Sequence, residues 1–137
     1  VMILDLDHFK SINDQYGHPT GDRVLQQMGE CIKAYTRTSD VACRFGGEEF
    51  AILLTETARN EARDLANRLR KEIATLHLES VESEEMFTVT ASFGVSELRN
   101  SDDEVAEVIR RADRALYWAK DKGRDQVVVF EEFQEEK

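Results

Sequence analysis

The sequence predicts an α+β fold in which helices pack on an antiparallel-rich sheet. Two observations carry this. Amphipathic helical stretches alternate with short apolar runs, and the central pair of runs flanks Gly46-Gly47 as the arms of a hairpin would. A hairpin pairs its strands antiparallel, which argues against a fully parallel, doubly wound sheet.

The elements follow in order. Residues 1–6 form an apolar run rich in strand formers. Asp7 is placed to cap a short helix over Phe9–Tyr16, which Gly17 ends. Pro19 and Gly21 mark a turn before a longer helix over 22–36, with Leu25, Met28, Ile32 and Tyr35 on one face. Residues 41–45 and 50–54 are the hairpin strands, and a type I′ turn between them would need positive φ at both Gly46 and Gly47. Ala62, Leu65, Ala66, Leu69, Ile73 and Leu76 mark a second long amphipathic helix. The acidic and serine-rich stretch 79–86 reads as a solvated loop or a small ribbon, and 87–95 returns to strand. Ser101–Asp103 supply helix-start residues for a third long face made by Val105, Ile109, Ala112, Leu116 and Ala119. Gly123 stops that helix, 127–130 is the last strand, and the acidic tail 131–137 is expected to fray.

The length of 137 residues suits one domain with a real core. No apolar run reaches the length of a membrane span, and no signal-peptide pattern opens the chain. A cytoplasmic domain without membrane contact is the reading. The chain begins at Val1 inside a strand, as an output domain cut from something longer would, so a membrane anchor elsewhere in the full protein stays open. A net charge of −10 argues against binding long nucleic acid through a basic surface, but not against a small phosphorylated substrate held with cations. Cys31 and Cys43 lack metal-site or redox-motif spacing and read as reduced packing residues.

The residues with chemistry gather at two places. Asp5-Leu6-Asp7 ends the first strand and Glu48-Glu49 follows the glycine turn. If the strands are neighbours, hard oxygen ligands suited to Mg²⁺ or Mn²⁺ converge at one end of the sheet, although acidic residues at strand ends are also commonly just solvated. Gly46-Gly47 fits either a plain turn or a close backbone approach to a phosphate or base.

Gly46-Gly47-Glu48-Glu49-Phe50 is a GGEEF form of the motif that names the GGDEF family. Asp5-Leu6-Asp7-His8-Phe9-Lys10, Asn13-Asp14, Gly17-His18 and Gly21-Asp22 resemble the family's first block in order and spacing. Ser92-Phe93-Gly94-Val95 is similar to its later strand. Ala112-Asp113, Ala115-Leu116-Tyr117, Ala119-Lys120 and Gly123-Arg124 are similar to its closing helix and turn. The resemblance spans nearly the whole chain, read as one domain over 1–137 without the Asp-x-Leu-Thr segment that the family usually carries before its first strand.

The resemblance implies a palm-like, ferredoxin-type domain that condenses two GTP molecules into cyclic di-GMP. It implies that Asp5, Glu48 and the Leu6 carbonyl ligate Mg²⁺ or Mn²⁺, with Glu48 or Glu49 as the base. Asn13 and Asp22 would read guanine, Gly46 and Gly47 would admit the substrate, and Lys10, Lys120 and Arg124 would hold the triphosphate. One site holds half of the reaction, so a homodimer is implied, with an upstream sensory or receiver domain in the full-length protein. Arg37 and Asp40 match the family's inhibitory product site, against the plain alternative of a surface salt bridge. Two rival functions stay open: a degenerate domain that only binds GTP or cyclic di-GMP, and a cyclase with a mixed product. Asp7 is read as a helix cap without a metal role, and His8 and His18 as structural. Phe9, Phe45, Phe50, Tyr117 and Trp118 are read as core or rim packing.

Overall fold

The computed structural model describes residues 1–99 and 104–133, and the helix-start residues expected at Ser101–Asp103 lie outside them, as does the end of the tail. The elements are β1 (Met2–Leu6), α1 (Phe9–Tyr16), α2 (His18–Tyr35), β2 (Val41–Arg44), β3 (Glu49–Leu53) and α3 (Arg59–Thr75). They continue with β4 (Leu78–Glu79), β5 (Met86–Phe87), β6 (Ala91–Val95), α4 (Val105–Asp121), β7 (Val127–Val129) and a closing 3₁₀ turn over Phe130–Glu132.

The main sheet has the order β2-β3-β1-β6-β7. Its first four strands pair antiparallel, and β7 joins parallel to β6. With β1, β2, β3 and β6 as the four strands, this is the βαββαβ order of a ferredoxin-like sheet, extended by α4 and β7. The fold is α+β and palm-like, as expected. A ribbon of β4 and β5 occupies the stretch read as a loop or small ribbon.

Every residue of β1 and β6 is buried, because helices cover both faces of the sheet's centre. Met2, Leu4 and Leu6 pack into one core with Phe9, Ile12, Val24, Met28, Ile32, Leu69 and Ile73 of α1, α2 and α3. Ile3, on the opposite face by strand alternation, packs with Ala112 and Leu116 of α4. Gly94 explains how closely α4 sits: a Cβ there would lie 2.0 Å from the Ala112 carbonyl oxygen and 2.3 Å from the Leu116 nitrogen. Only glycine fits that contact. Residues 130–133 dock on the body of the fold: Phe130 and Phe133 stack on Trp118, and Glu131 accepts hydrogen bonds from Ser96 and Glu97. The tail is therefore anchored through Phe133 rather than frayed from Glu131.

Three local expectations are corrected. α2 begins at His18, four residues before the expected start at Asp22, because Pro19 serves its first turn rather than breaking it. Gly21 lies inside that helix, where a Cβ would collide with the Asn13 side chain at 1.8 Å. The strand expected over 87–95 is shorter, β6 starting at Ala91. Both cysteines are free, as expected, but only Cys31 is partly packed, and Cys43 is exposed on the edge strand β2.

Candidate active site

The site is built at the end of β1 and β3, on the face that α4 covers. Register places Asp5 directly opposite Glu49, and the two share a face with Ile3 and Ala51. Residues 113, 116 and 120 of α4 lie at three- and four-residue spacing, so Asp113 and Lys120 reach the same end of the sheet. The Lys120 ammonium donates to Asp5 Oδ2. Asp5 Oδ1 and Glu49 Oε1 are buried with no hydrogen-bond partner.

Burial and the neighbouring carboxylates raise the proton affinity of Glu48 and Glu49. Burial, then the charge and hydrogen bonding of Asp5, pushes Glu48 above its ordinary range, with Lys120 opposing. Burial, followed by a hydrogen bond and charge from Asp113 and by the charge of Asp5, pushes Glu49 up to about 7, again against Lys120. Among the described residues no group of three or more His, Cys, Asp or Glu is arranged to hold a metal. The acidic site consists of two neighbouring strands' carboxylates facing a lysine and an aspartate from α4.

The hairpin loop differs from a type I′ turn. Gly46 has φ +87°, whereas Gly47 does not adopt a positive φ, so the two-residue mirror turn is not formed. Phe45 N–H donates to the Glu49 carbonyl at 2.6 Å, leaving Gly46, Gly47 and Glu48 as a three-residue loop. A Cβ on Gly47 would meet no atom within 4 Å. Neither φ nor packing within the chain requires glycine at that position.

The remaining expected residues divide. Asn13 on α1 lays its side-chain oxygen against Gly21, one residue before Asp22, so the two groups expected to read guanine sit on adjoining helices. Lys10 and Arg124 are exposed, on α1 and on the turn after α4. Leu6 ends β1. Arg37 and Asp40 form a separate cluster beside the β3–α3 connection. Asp40 takes the Arg37 backbone N–H at 2.8 Å and the Thr55 N–H at 3.2 Å, while Arg37 Nη2 donates to the Thr55 carbonyl at 2.6 Å and to Thr57 Oγ1 at 2.9 Å. Burial alone would raise the Asp40 carboxyl, but the hydrogen bonds from Arg37 and Thr55 outweigh it and lower its pKa. With side-chain exposures of 59% for Arg37 and 2% for Asp40, this is not a solvated surface pair. Asp40 is an internal anchor, and only the guanidinium is presented outward.

Asp7 is not a helix cap. The residue that precedes α1 is His8, in the left-handed conformation, and it makes no side-chain cap bond. Asp7 instead accepts from Thr90 Oγ1 at 2.6 Å, Ser92 Oγ at 2.7 Å and the Asp125 N–H at 3.0 Å. The last bond fixes the turn after α4, where Gly123 at φ +119° closes a Schellman motif and Arg124 and Asp125 follow in left-handed conformations. Asp7 therefore positions Arg124, a role hidden because its partners lie more than eighty residues away. Asp113 was also missed, although its seven-residue spacing from Lys120 puts both on one helix face. The aromatics are core or rim as read: Phe9, Phe50 and Trp118 are buried, Phe45 and Tyr117 exposed.

Fold and site together define a palm-type domain with an acidic, lysine-flanked centre at one end of its sheet. A family model described as "Diguanylate cyclase, GGDEF domain" matches residues 1–126, and the chain belongs to the GGDEF domain family. It is 38% identical over 129 residues to diguanylate cyclase A of Treponema denticola, covering 94% of this chain and 34% of that protein. It is 37% identical to the response regulator PleD of Caulobacter vibrioides, covering 93% of this chain and 28% of that protein. The chain thus spans about a third of the length of the curated relatives it matches. Among solved structures, the GGDEF domain of DgcB from Caulobacter crescentus in complex with c-di-GMP aligns with a TM-score of 0.90 at 34% identity, over 95% of this chain and 76% of that one. The active GGEEF domain of a diguanylate cyclase from Vibrio cholerae aligns at 0.86 and 35% identity, over 98% and 82%. Among the described residues no helix is long and apolar enough to cross a membrane.

Proposed function

We propose that this chain is a diguanylate cyclase domain, joining two GTP molecules into cyclic di-GMP with release of pyrophosphate. The observation that carries the reading is the convergence of Asp5, Glu48 and Glu49 with Lys120 at one end of the sheet. Membership of the GGDEF family and the diguanylate cyclase relatives support it.

The donor set fits a divalent cation, Mg²⁺ or Mn²⁺. All the donors are hard oxygens, and two of them, Asp5 Oδ1 and Glu49 Oε1, are buried without a partner. Asp5, Glu48 and the Leu6 carbonyl would hold it. Mg²⁺ is commonly bound by one or two carboxylates completed by substrate phosphates, so a preassembled protein cage is not required. When bound, the cation favours the 3′-oxyanion and neutralises charge on the α-phosphate and the leaving pyrophosphate. Glu48 and Glu49 are the two base candidates for the 3′-hydroxyl proton. Lys120, which pairs with Asp5, would hold the triphosphate together with Lys10 and Arg124. Asn13 and Asp22 match the donor and acceptor edge of guanine, and Gly46 and Gly47 leave room for the substrate.

Each site binds one GTP, so two copies meet and each 3′-oxygen attacks the other's α-phosphate. Incubation with GTP and Mg²⁺, followed by chromatographic identification of the nucleotide product, tests the reading. Cyclic di-GMP is expected. Nucleotide binding without turnover would return the chain to a sensor role, and a mixed dinucleotide formed when ATP is added alongside GTP would displace the guanine assignment.

Product inhibition belongs to the same proposal, through Arg37 and Asp40. The exposed guanidinium offers a planar fork to phosphate or guanine, while Asp40 holds its backbone in place. Arg37→Ala is expected to weaken cyclic di-GMP binding at least about tenfold, a loss in line with removing charged hydrogen bonds. Calorimetric titration of wild type and variant decides it, and matching isotherms would remove the site.

A further inference from the structure

Arg44 has no part in the assignments above. It is the last residue of β2 and pairs with Phe50 of β3, next to the Phe45–Glu49 contact that closes the hairpin loop. Its guanidinium turns back over the loop and donates to a single acceptor, the Gly47 carbonyl, from Nε at 2.9 Å and from Nη2 at 2.6 Å. That carbonyl belongs to the peptide plane whose other end is the Glu48 nitrogen. Fixing it fixes the direction in which Glu48 leaves the loop. Packing does not do this, because a Cβ on either glycine would meet nothing within 4 Å. Two consecutive glycines give the loop wide conformational freedom, and a loop that wanders moves Glu48 away from Asp5, whereas Glu49 is held by the β1–β3 ladder.

The geometry points to Arg44 as a positioning residue for Glu48, holding the loop through the Gly47 carbonyl rather than by touching substrate. This rests on the cyclase reading for its kinetic consequence but not for its structural one. A misplacement of about an ångström at a reacting group costs on the order of 100-fold in rate. Arg44→Ala is accordingly expected to lower kcat about 100-fold and to leave the KM for GTP within about threefold. Arg44→Lys keeps the charge but gives up the planar fork, and should recover less than about a tenth of the lost activity. In the absence of any nucleotide, amide hydrogen exchange over residues 46–49 should accelerate in both variants while the rest of the sheet and the melting temperature stay unchanged.

Three results would overturn the assignment. One is unchanged exchange at the loop. Another is a raised KM with kcat preserved, which would make Arg44 a direct substrate contact. The third is full activity in Arg44→Lys, which would leave charge alone as the cause. If wild type forms no cyclic di-GMP, the function reading fails by itself, and the exchange measurement still decides the clamp.

Discussion

Glu49 faces Asp5 across the β1–β3 ladder and meets Asp113 from α4, so three carboxyl groups share a space opposite Lys120. Its carboxyl is pushed from an ordinary 4.5 up to about 7. The sign for stability follows. Between those values the folded chain holds a proton that the unfolded chain releases, so stability falls as pH rises through this window and is lowest above it. Glu49→Gln removes the charge that the fold resists. With chelator present, the variant should melt higher than wild type near pH 8 and level with it near pH 4. An equal difference at both pH values would mean that Glu49 does not carry the strain. Lys120 has a second consequence at this scale. It is the cation that pairs with Asp5 in the chain alone, so in the proposed reaction a Lys120 drawn to phosphate would free Asp5 for a metal ion.

At the scale of elements, the close seating of α4 on β6 delivers Asp113 and Lys120 to the carboxylates. Gly94→Ala would set a Cβ against backbone atoms of Ala112 and Leu116, which cannot swing aside as a side chain would. Overpacking of this kind costs about 1–3 kcal/mol, so the urea midpoint should fall accordingly and turnover should fall with it. Gly47→Ala is the contrasting case. It meets open space at an ordinary φ, and its effect on stability should stay within about 0.5 kcal/mol. Equal midpoints for the two variants would remove the argument. The same contrast shows what was legible in the sequence. Helix faces at three- and four-residue spacing and the hairpin around Gly46-Gly47 could be read because their patterns are local. The start of α2 was misplaced because Pro19 and Gly21 usually punctuate, whereas here one opens the helix and the other admits Asn13. Asp7 was misread because it is defined by the distant partners Thr90, Ser92 and Asp125, and the solvated-pair alternative for Asp40 fails for the same reason, through Thr55. The acidic centre was readable from its motifs, but the facing of Glu49 by Asp113 required the seating of α4.

For the whole molecule, the proposed reaction fixes how activity depends on copies of the chain. Closing cyclic di-GMP takes two phosphodiester bonds, each made when one site's 3′-oxygen attacks the nucleotide held by the other. A net charge of −10 makes two copies repel, so their encounter is weak at low ionic strength and eased by salt. Turnover per chain should therefore rise with protein concentration until the pair saturates. Glu48→Gln provides the sharper test, because it removes the carboxylate proposed to hold the metal while keeping its shape, and should abolish turnover with the fold intact. Mixed with wild type at constant total concentration, it forms pairs with one competent site, which can make one bond but cannot close the ring. Cyclic di-GMP formation should then fall as the square of the wild-type fraction, with a linear dinucleotide accumulating in the mixed pairs. Initial rates across a series of mixtures measure the exponent. A strictly linear fall, together with turnover per chain that does not change with concentration, would mean that one copy completes the reaction unaided.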